Sequence, residues 1–151
     1  MDIIPDVCCF AGLLMNINGR PVPFLLKSLA QSFPQHPSPT LIALHDNLTL
    51  PPLSVGKPRS GVTHQGHGGL SSIESSLKSK DFWRLGLGIG RGGNGPGGGV
   101  VKWVLSELSR EEKGYWGEGG GEGVDRIADV IFDMAERLRK ADSPKIKVAK
   151  K

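Results

Sequence analysis

The chain has 151 residues, of which 38% are apolar and 23% charged, and its formal net charge is +4. One domain of this length can bury a core without disulfides or a structural metal. The modest positive charge permits a polyanionic partner without requiring one. The apolar stretch at residues 7–15 is far shorter than the roughly 20 residues of a membrane-spanning helix, so we expect no membrane partner.

The only cysteines, Cys8 and Cys9, are adjacent. Adjacent cysteines rarely form an unstrained disulfide, and no C-x-x-C pair is present to bind a metal or to act in redox chemistry. We therefore expect two reduced thiols in an intracellular protein. Asp2 and Asp6 argue against a secretory signal or an arginine-rich transit peptide, so we expect a cytoplasmic or mitochondrial protein with no targeting signal in this chain.

The amino-terminal segment predicts a strand followed by a helix. Residues 3–15 are mostly apolar, as in a buried strand, and they end in a tight connection. Asn18 can cap the following helix, in which Pro21 and Pro23 are tolerated because they fall in the first turn. An apolar stripe continues to Pro34, which ends the helix.

A second predicted strand ends in titratable residues. The continuous apolar run at residues 41–44 is typical of a strand with both faces covered, and His45 and Asp46 follow it directly. Open α/β sheets bind their ligands at the carboxyl ends of such strands. The sequence therefore indicates a functional site near His45 and Asp46.

The middle of the chain predicts less regular structure. Residues 50–63 are expected to be extended and irregular, and residues 70–78 suit a short helix with Ser71 or Ser72 as its cap. Residues 82–91 alternate large apolar side chains with glycines. This alternation indicates a strand that another backbone or a ligand approaches closely.

The carboxyl-terminal part predicts a short apolar helix or turn at residues 100–108 and the strongest helix of the chain at residues 124–139. Lysine-rich residues 140–151 are expected to be a disordered tail, which leaves residues 1–139 as the folded domain. The strong helix carries an apolar stripe that we expect to be core, formed by Val124, Ile127, Ala128, Ile131, Met134, Ala135 and Leu138.

Two patterns are compatible with a ligand site but specify it weakly. Residues 88–93 fit G-x-G-x-x-G, yet more glycine follows in place of the helix start that a dinucleotide site needs. A catalytic zinc site takes three protein ligands and keeps one position open. A metal-dependent hydrolase is therefore an alternative, with ligands drawn from His45, Asp46, His64 and His67.

Acid–base chemistry suits Asp46 better than metal binding does. A carboxylate buried at a strand end can hold a histidine in one tautomer and stabilise its protonated form, which makes the imidazole a stronger base. The spacing is equally compatible with a second interpretation, in which Asp46 only caps the turn at Asn47.

Basic side chains in the same part of the chain suggest a polyanion. Lys57, Arg59 and Arg84 lie in or between the predicted segments, and arginine suits bidentate contacts to phosphate. Taken alone, these three cations are equally compatible with an interpretation as solvated surface charges.

Four motifs in a fixed order resemble the bacterial-type peptidyl-tRNA hydrolase family. The first is Met15-Asn16 followed by a glycine and a valine, and the second is H-D-x-L-x-L-P at residues 45–51. The third, at residues 66–70, approaches the family's G-H-N-G-L loop, and the fourth is R-L-x-x-G-I-G at residues 84–90. The resemblance implies an α/β fold with a mixed β-sheet packed between helices.

The resemblance also implies hydrolysis of the ester between a peptide and tRNA by a monomer, without metal or cofactor. Asp46 matches the aspartate that supports the catalytic histidine. Asn16 matches an asparagine that contacts the substrate near the ester, and His67 matches a histidine of the peptide-binding groove. Arg59 and Lys57 match basic positions that face tRNA phosphate.

The chain departs from the family pattern at several positions. The motifs G-x-G-N-P-G and T-R-H-N, the second of which holds the catalytic histidine, do not occur in these 151 residues. We therefore expect this chain to lack the histidine base and an amino-terminal strand, and to have little activity. Gly68 replaces an asparagine and Gly86 replaces a second basic residue. The alternative function is that of a non-catalytic remnant that binds tRNA or other RNA.

Overall fold

The computed structural model describes residues 14–35, 39–64, 66–91, 99–117 and 121–142. These residues form two compact units, one made of residues 14–45 and 59–84 and the other of residues 46–58 and 85–142. In chain order the elements are a 3-10 helix (Met15–Ile17), α1 (Val22–Ser32), β1 (Ile42–Asn47), β2 (Ser54–Val55), β3 (Arg59–Ser60), α2 (Gly68–Leu77), β4 (Trp83–Gly88), α3 (Val100–Val104), α4 (Arg110–Trp116) and α5 (Glu122–Asp142).

The strands form a mixed sheet in the order β1-β4-β2, and β3 also pairs with β4. β2 and β3 run antiparallel to β4, with Arg59 opposite Arg84 in the β3 pairing. The amide of Trp83 donates to the carbonyl of Leu41, and residue numbers rise together along β1 and β4, as in a parallel pair. The α/β class with a mixed sheet, expected from the sequence, is confirmed.

The core of the first unit lies among α1, α2 and the residues around β1 and β4. Its buried side chains are Val22, Ala43, Leu70, Ile73 and Phe82. The 3-10 helix and α1 both pack against α2.

Gly19 lies close against α2. Its amide donates to Ser72 Oγ over 3.0 Å, and a Cβ at Gly19 would collide with the backbone of Ser72. Only glycine therefore allows this contact.

In the second unit, α5 packs against α4 and β2. Leu85 is fully buried, and Met134 is the buried member of the apolar stripe on α5, whereas Val124 is 40% exposed. α5 runs from Glu122 to Asp142, so it passes through the predicted boundary between domain and tail. Residues 143–151 of the predicted tail lie outside the described residues.

Several expected local features differ from the structure. The predicted strand at residues 3–15 falls almost wholly outside the described residues, and Met15 belongs to a 3-10 helix. The prediction that Asn18 caps α1 is wrong, because the helix begins after Pro21 with no side-chain cap. Residues 50–63 contain two short strands, which are too brief to show an alternating pattern.

The helix starts differ most from expectation. The prediction that Ser71 or Ser72 caps α2 is wrong, because the helix begins at Gly68 and His67 is its cap. α4 was not expected, although Ser109 and Glu112 form a complete capping box, a signal that the sequence does contain. No helix among the described residues combines the length and the hydrophobicity that crossing a membrane requires.

Candidate functional site

His67 is placed by a turn that leads into α2. The His67 amide donates to the His64 carbonyl over 2.9 Å, and His64 Nδ1 accepts from the amide of Gly66 over 3.1 Å. Gly66 has a φ of +83°, which a residue with a side chain would rarely adopt. This loop sets His67 immediately before the first turn of the helix.

His67 caps α2 through its imidazole. Nδ1 accepts a hydrogen bond from the amide of Leu70 over 3.2 Å. Because Nδ1 is the acceptor, the neutral ring carries its proton on Nε2, and His67 is a hydrogen-bond donor on that side. The ring of His45, near the end of β1, meets the His67 ring edge to face with centroids 5.2 Å apart.

Asn16 lies against the first turn of α2. A Cβ at Gly68 would collide with Asn16 Oδ1, and a Cβ at Gly69 would come within 3.0 Å of Met15 Cγ. The glycine that replaces the family's asparagine therefore leaves the space that the Asn16 amide occupies. Asn16 and His67 thus both lie at the start of α2, within one compact unit.

Arg59 and Arg84 are opposite each other in the sheet but differ in exposure. Arg59 is exposed, whereas Arg84 is only 3% exposed. Arg84 Nη2 lies 2.7 Å from Glu74 Oε1, and its guanidinium lies 4.6 Å from the centroid of the Phe82 ring. A buried, ion-paired guanidinium is not available at the surface. This geometry argues against Arg84 as a phosphate contact and against its interpretation as a solvated charge.

In the second unit, Asp46 is half-buried at the end of β1, and Lys57 is exposed after β2. The turn after β1 obtains its acceptor from Asn47, whose Oδ1 accepts from the Thr49 amide over 2.8 Å and from the Thr49 hydroxyl over 2.7 Å. The Asn47 side chain therefore caps this turn, and both interpretations of Asp46 remain predictions.

Gly86, where the family pattern has a basic residue, is also enclosed. A Cβ at this position would lie 3.0 Å from Asn47 Nδ2. The strand is therefore tightly covered here by the Asn47 side chain, which would have to give way to any larger residue.

The metal alternative receives no geometric support from the part of the chain that the structure describes. No group of three or more histidine, cysteine or acidic side chains there is arranged to hold an ion. The four candidate ligands, His45, Asp46, His64 and His67, all lie within the described residues.

These features define an α/β protein in which polar side chains gather where α2 begins. A sequence model of the family described as Peptidyl-tRNA hydrolase matches residues 12–149. One similar curated protein is the peptidyl-tRNA hydrolase of Methylobacillus flagellatus, which is 39% identical over 98 residues that make up 65% of this chain and 47% of the relative. Another is the peptidyl-tRNA hydrolase of Geotalea daltonii, which is 35% identical over 133 residues that make up 87% of this chain and 60% of the relative. The chain belongs to the peptidyl-tRNA hydrolase family, as its four motifs suggested.

The match covers only part of each relative. The chain spans about half to three-fifths of the length of the curated relatives it matches. The crystal structure of peptidyl-tRNA hydrolase from Acinetobacter baumannii is similar at 29% identity with a TM-score of 0.47, and the match covers 66% of this chain and 46% of that one.

Proposed function

We propose that this chain supplies the substrate-holding residues of an enzyme that hydrolyses the ester between a peptide and tRNA. The observation that carries the proposal is the placement of both Asn16 and His67 at the first turn of α2. The side-chain amide of Asn16 is a donor suited to a carbonyl oxygen of a peptidyl ester, and the His67 imidazole lies at the same helix start. The positive end of the helix dipole favours the negative charge that such an oxygen gains during hydrolysis.

Asp46 is the proposed partner of the general base. A half-buried carboxylate can orient an imidazole and stabilise its protonated form after it has activated water. We do not assign the base itself to His64 or His67, because Nδ1 of each ring accepts a backbone amide proton. If the chain lacks only a general base, free imidazole added to the solution should restore ester hydrolysis.

Arg59 and Lys57 are the proposed contacts to tRNA phosphate. Both side chains are exposed. The Gly61 amide, which follows β3, donates to the backbone carbonyl of Lys80 over 3.2 Å, so a third exposed basic residue lies next to this strand. A monomeric state and a cytoplasmic or mitochondrial location remain predictions.

The test uses the purified 151-residue chain with N-acetylaminoacyl-tRNA. We expect binding with very slow release of the acyl group, and faster release when imidazole is added. Asp46→Asn should abolish most of the imidazole effect, because the carboxylate no longer stabilises the imidazolium. Failure to bind N-acetylaminoacyl-tRNA would contradict the proposal, as would rescue that is equally strong in Asp46→Asn.

The non-catalytic RNA-binding function is supported by the same exposed cations, Arg59 and Lys57, and needs no general base. It predicts salt-dependent binding of deacylated tRNA with no turnover under any condition, including added imidazole. Arg59→Ala should then reduce the slope of log affinity against log salt by about one. Equal binding of tRNA with and without the acyl group would favour this function over ester hydrolysis.

A further inference from the structure

The ion pair between Arg84 and Glu74 joins β4 to α2. The Glu74 side chain is 12% exposed and that of Arg84 is 3% exposed, so both charges are largely removed from water. Nε and Nη1 of Arg84 are also buried and find no hydrogen-bond partner among the described residues. Among the described residues, the contacts that stabilise the buried guanidinium charge are therefore the Glu74 carboxylate and the face of the Phe82 ring.

Stability alone is a weak explanation for such a pair. The attraction between buried opposite charges is largely offset by the loss of their hydration, and a well-packed apolar pair of similar volume is often as stable. The two nitrogens without partners add to this cost. An ion pair has a directional geometry that an apolar contact lacks, so it can fix the position of α2 relative to β4.

We propose that Arg84 and Glu74 are positioning residues that set the location of the first turn of α2, and with it the geometry of His67 and Asn16. His67, Leu70 and Glu74 follow one another at spacings of 3 and 4, so the cap and the ion pair lie on one face of the helix. This inference rests on the proposed function for its consequence in substrate binding.

The segment that holds Asn16 is attached to the same helix independently. The hydrogen bond from the Gly19 amide to Ser72 Oγ and the close backbone contact at Gly19 hold the 3-10 helix against α2. A single shift of α2 relative to β4 would therefore move His67 and would also change the surroundings of Asn16.

The experiment compares Glu74→Asp, the double variant Glu74→Met/Arg84→Met and the control Arg137→Met. Glu74→Asp keeps the charge but shortens the tether by one methylene. The double variant leaves no buried charge unpaired. In the control, Arg137 Nη2 also lies 2.7 Å from a carboxylate oxygen of Asp133, but the Arg137 side chain is 77% exposed.

Two properties are measured, and the first needs no substrate. NMR resonances of the Leu70 amide and the His67 ring report the position of the helix start. Affinity for a non-hydrolysable 3′-(N-acetylaminoacylamino)adenosine, compared with deacylated tRNA, reports the substrate site. We expect both Glu74 variants to shift the resonances and to weaken analogue binding by about tenfold, with tRNA binding unchanged.

Each outcome decides the question. A folded double variant with unchanged Leu70 and His67 resonances and unchanged analogue affinity would overturn the proposal. Loss of folding in both Glu74 variants would also overturn it, because the pair would then be purely structural. If the wild-type chain does not bind the analogue, the proposed function fails, and the resonances still decide whether the pair positions α2.

Discussion

Nδ1 of His67 accepts a hydrogen bond from the backbone amide of Leu70 at 3.2 Å. This bond has two consequences, because it satisfies one of the unpaired amide donors at the helix start and it fixes the tautomer of the neutral imidazole. The stability of α2 and the proposed substrate contact at its first turn therefore both depend on His67, and variants can separate the two.

His67→Ala should lower the free energy of unfolding by about 1 kcal/mol, because the Leu70 amide loses its acceptor. His67→Asn should restore most of that stability, since asparagine is a good N-cap, while still lacking the imidazole. Chemical unfolding and analogue binding measure the two effects. Recovery of binding as well as stability in His67→Asn would show that the imidazole acts only as a cap.

Gly68→Ala should weaken binding of the acylaminoadenosine analogue with little change in stability. The new Cβ displaces Asn16 Oδ1, and the exposed Asn16 side chain can move away without disturbing the core. Alanine also favours the helix over glycine by about 1 kcal/mol, which offsets local crowding. Calorimetric titration and thermal unfolding of the same samples test this.

Gly114→Ala is the matched helical control. A Cβ at Gly114 in α4 meets no atom within 4 Å, so alanine should raise the unfolding free energy by about 0.5–1 kcal/mol. Binding of the analogue should not change. A loss of binding in this variant would show that glycine replacement perturbs the protein more generally than the Asn16 contact explains.

The start of α4 should weaken in acid. The amide of Ser109, which donates to Glu112 Oε2 over 2.7 Å, and the Ser109 hydroxyl hold the pKa of Glu112 below its usual value of 4.5. Because the pKa is lowered in the folded state, this stabilisation is fully present above pH 4.5 and is lost as the pH falls through the lower, folded pKa.

NMR titration of the Glu112 carboxyl and of the Ser109 amide measures this directly. Glu112→Gln keeps an oxygen at the third helical position, so it should retain the capping box while removing the acid dependence. An equally strong acid dependence of the Ser109 amide in Glu112→Gln would assign the effect to another group.

Trp103→Phe should loosen α3. The Trp103 indole nitrogen donates to the carbonyls of Ile89 and Gly90 at 3.2 and 3.0 Å, and phenylalanine cannot replace this donor. We expect a loss of about 1–2 kcal/mol in local stability and faster hydrogen exchange at the Leu105 amide, which bonds within the same turn. Unchanged exchange at Leu105 would show that apolar contacts alone hold the helix.

Elements with a long or strong pattern were predictable from the sequence. The apolar run before His45 indicated β1, and the stripe that includes Met134 indicated α5, because periodicity over many residues is a property of the chain itself. The short strands β2 and β3 carry no such pattern. The cap of α4 was encoded locally by Ser109 and Glu112 and was predictable from that spacing.

The family and the candidate residues followed from the order of four sequence motifs, each of which is a local arrangement of side chains. Only the tertiary structure decided which of those side chains are buried and what they contact. The sequence is compatible with Arg84 as a surface cation, whereas in the structure Arg84 is buried beside Phe82 and paired with Glu74. The sequence does not reveal this, because exposure depends on which elements pack together. The same reason applies to Asn16 and Gly68, which are 52 positions apart in the chain (68 minus 16) and meet only when the 3-10 helix packs on α2.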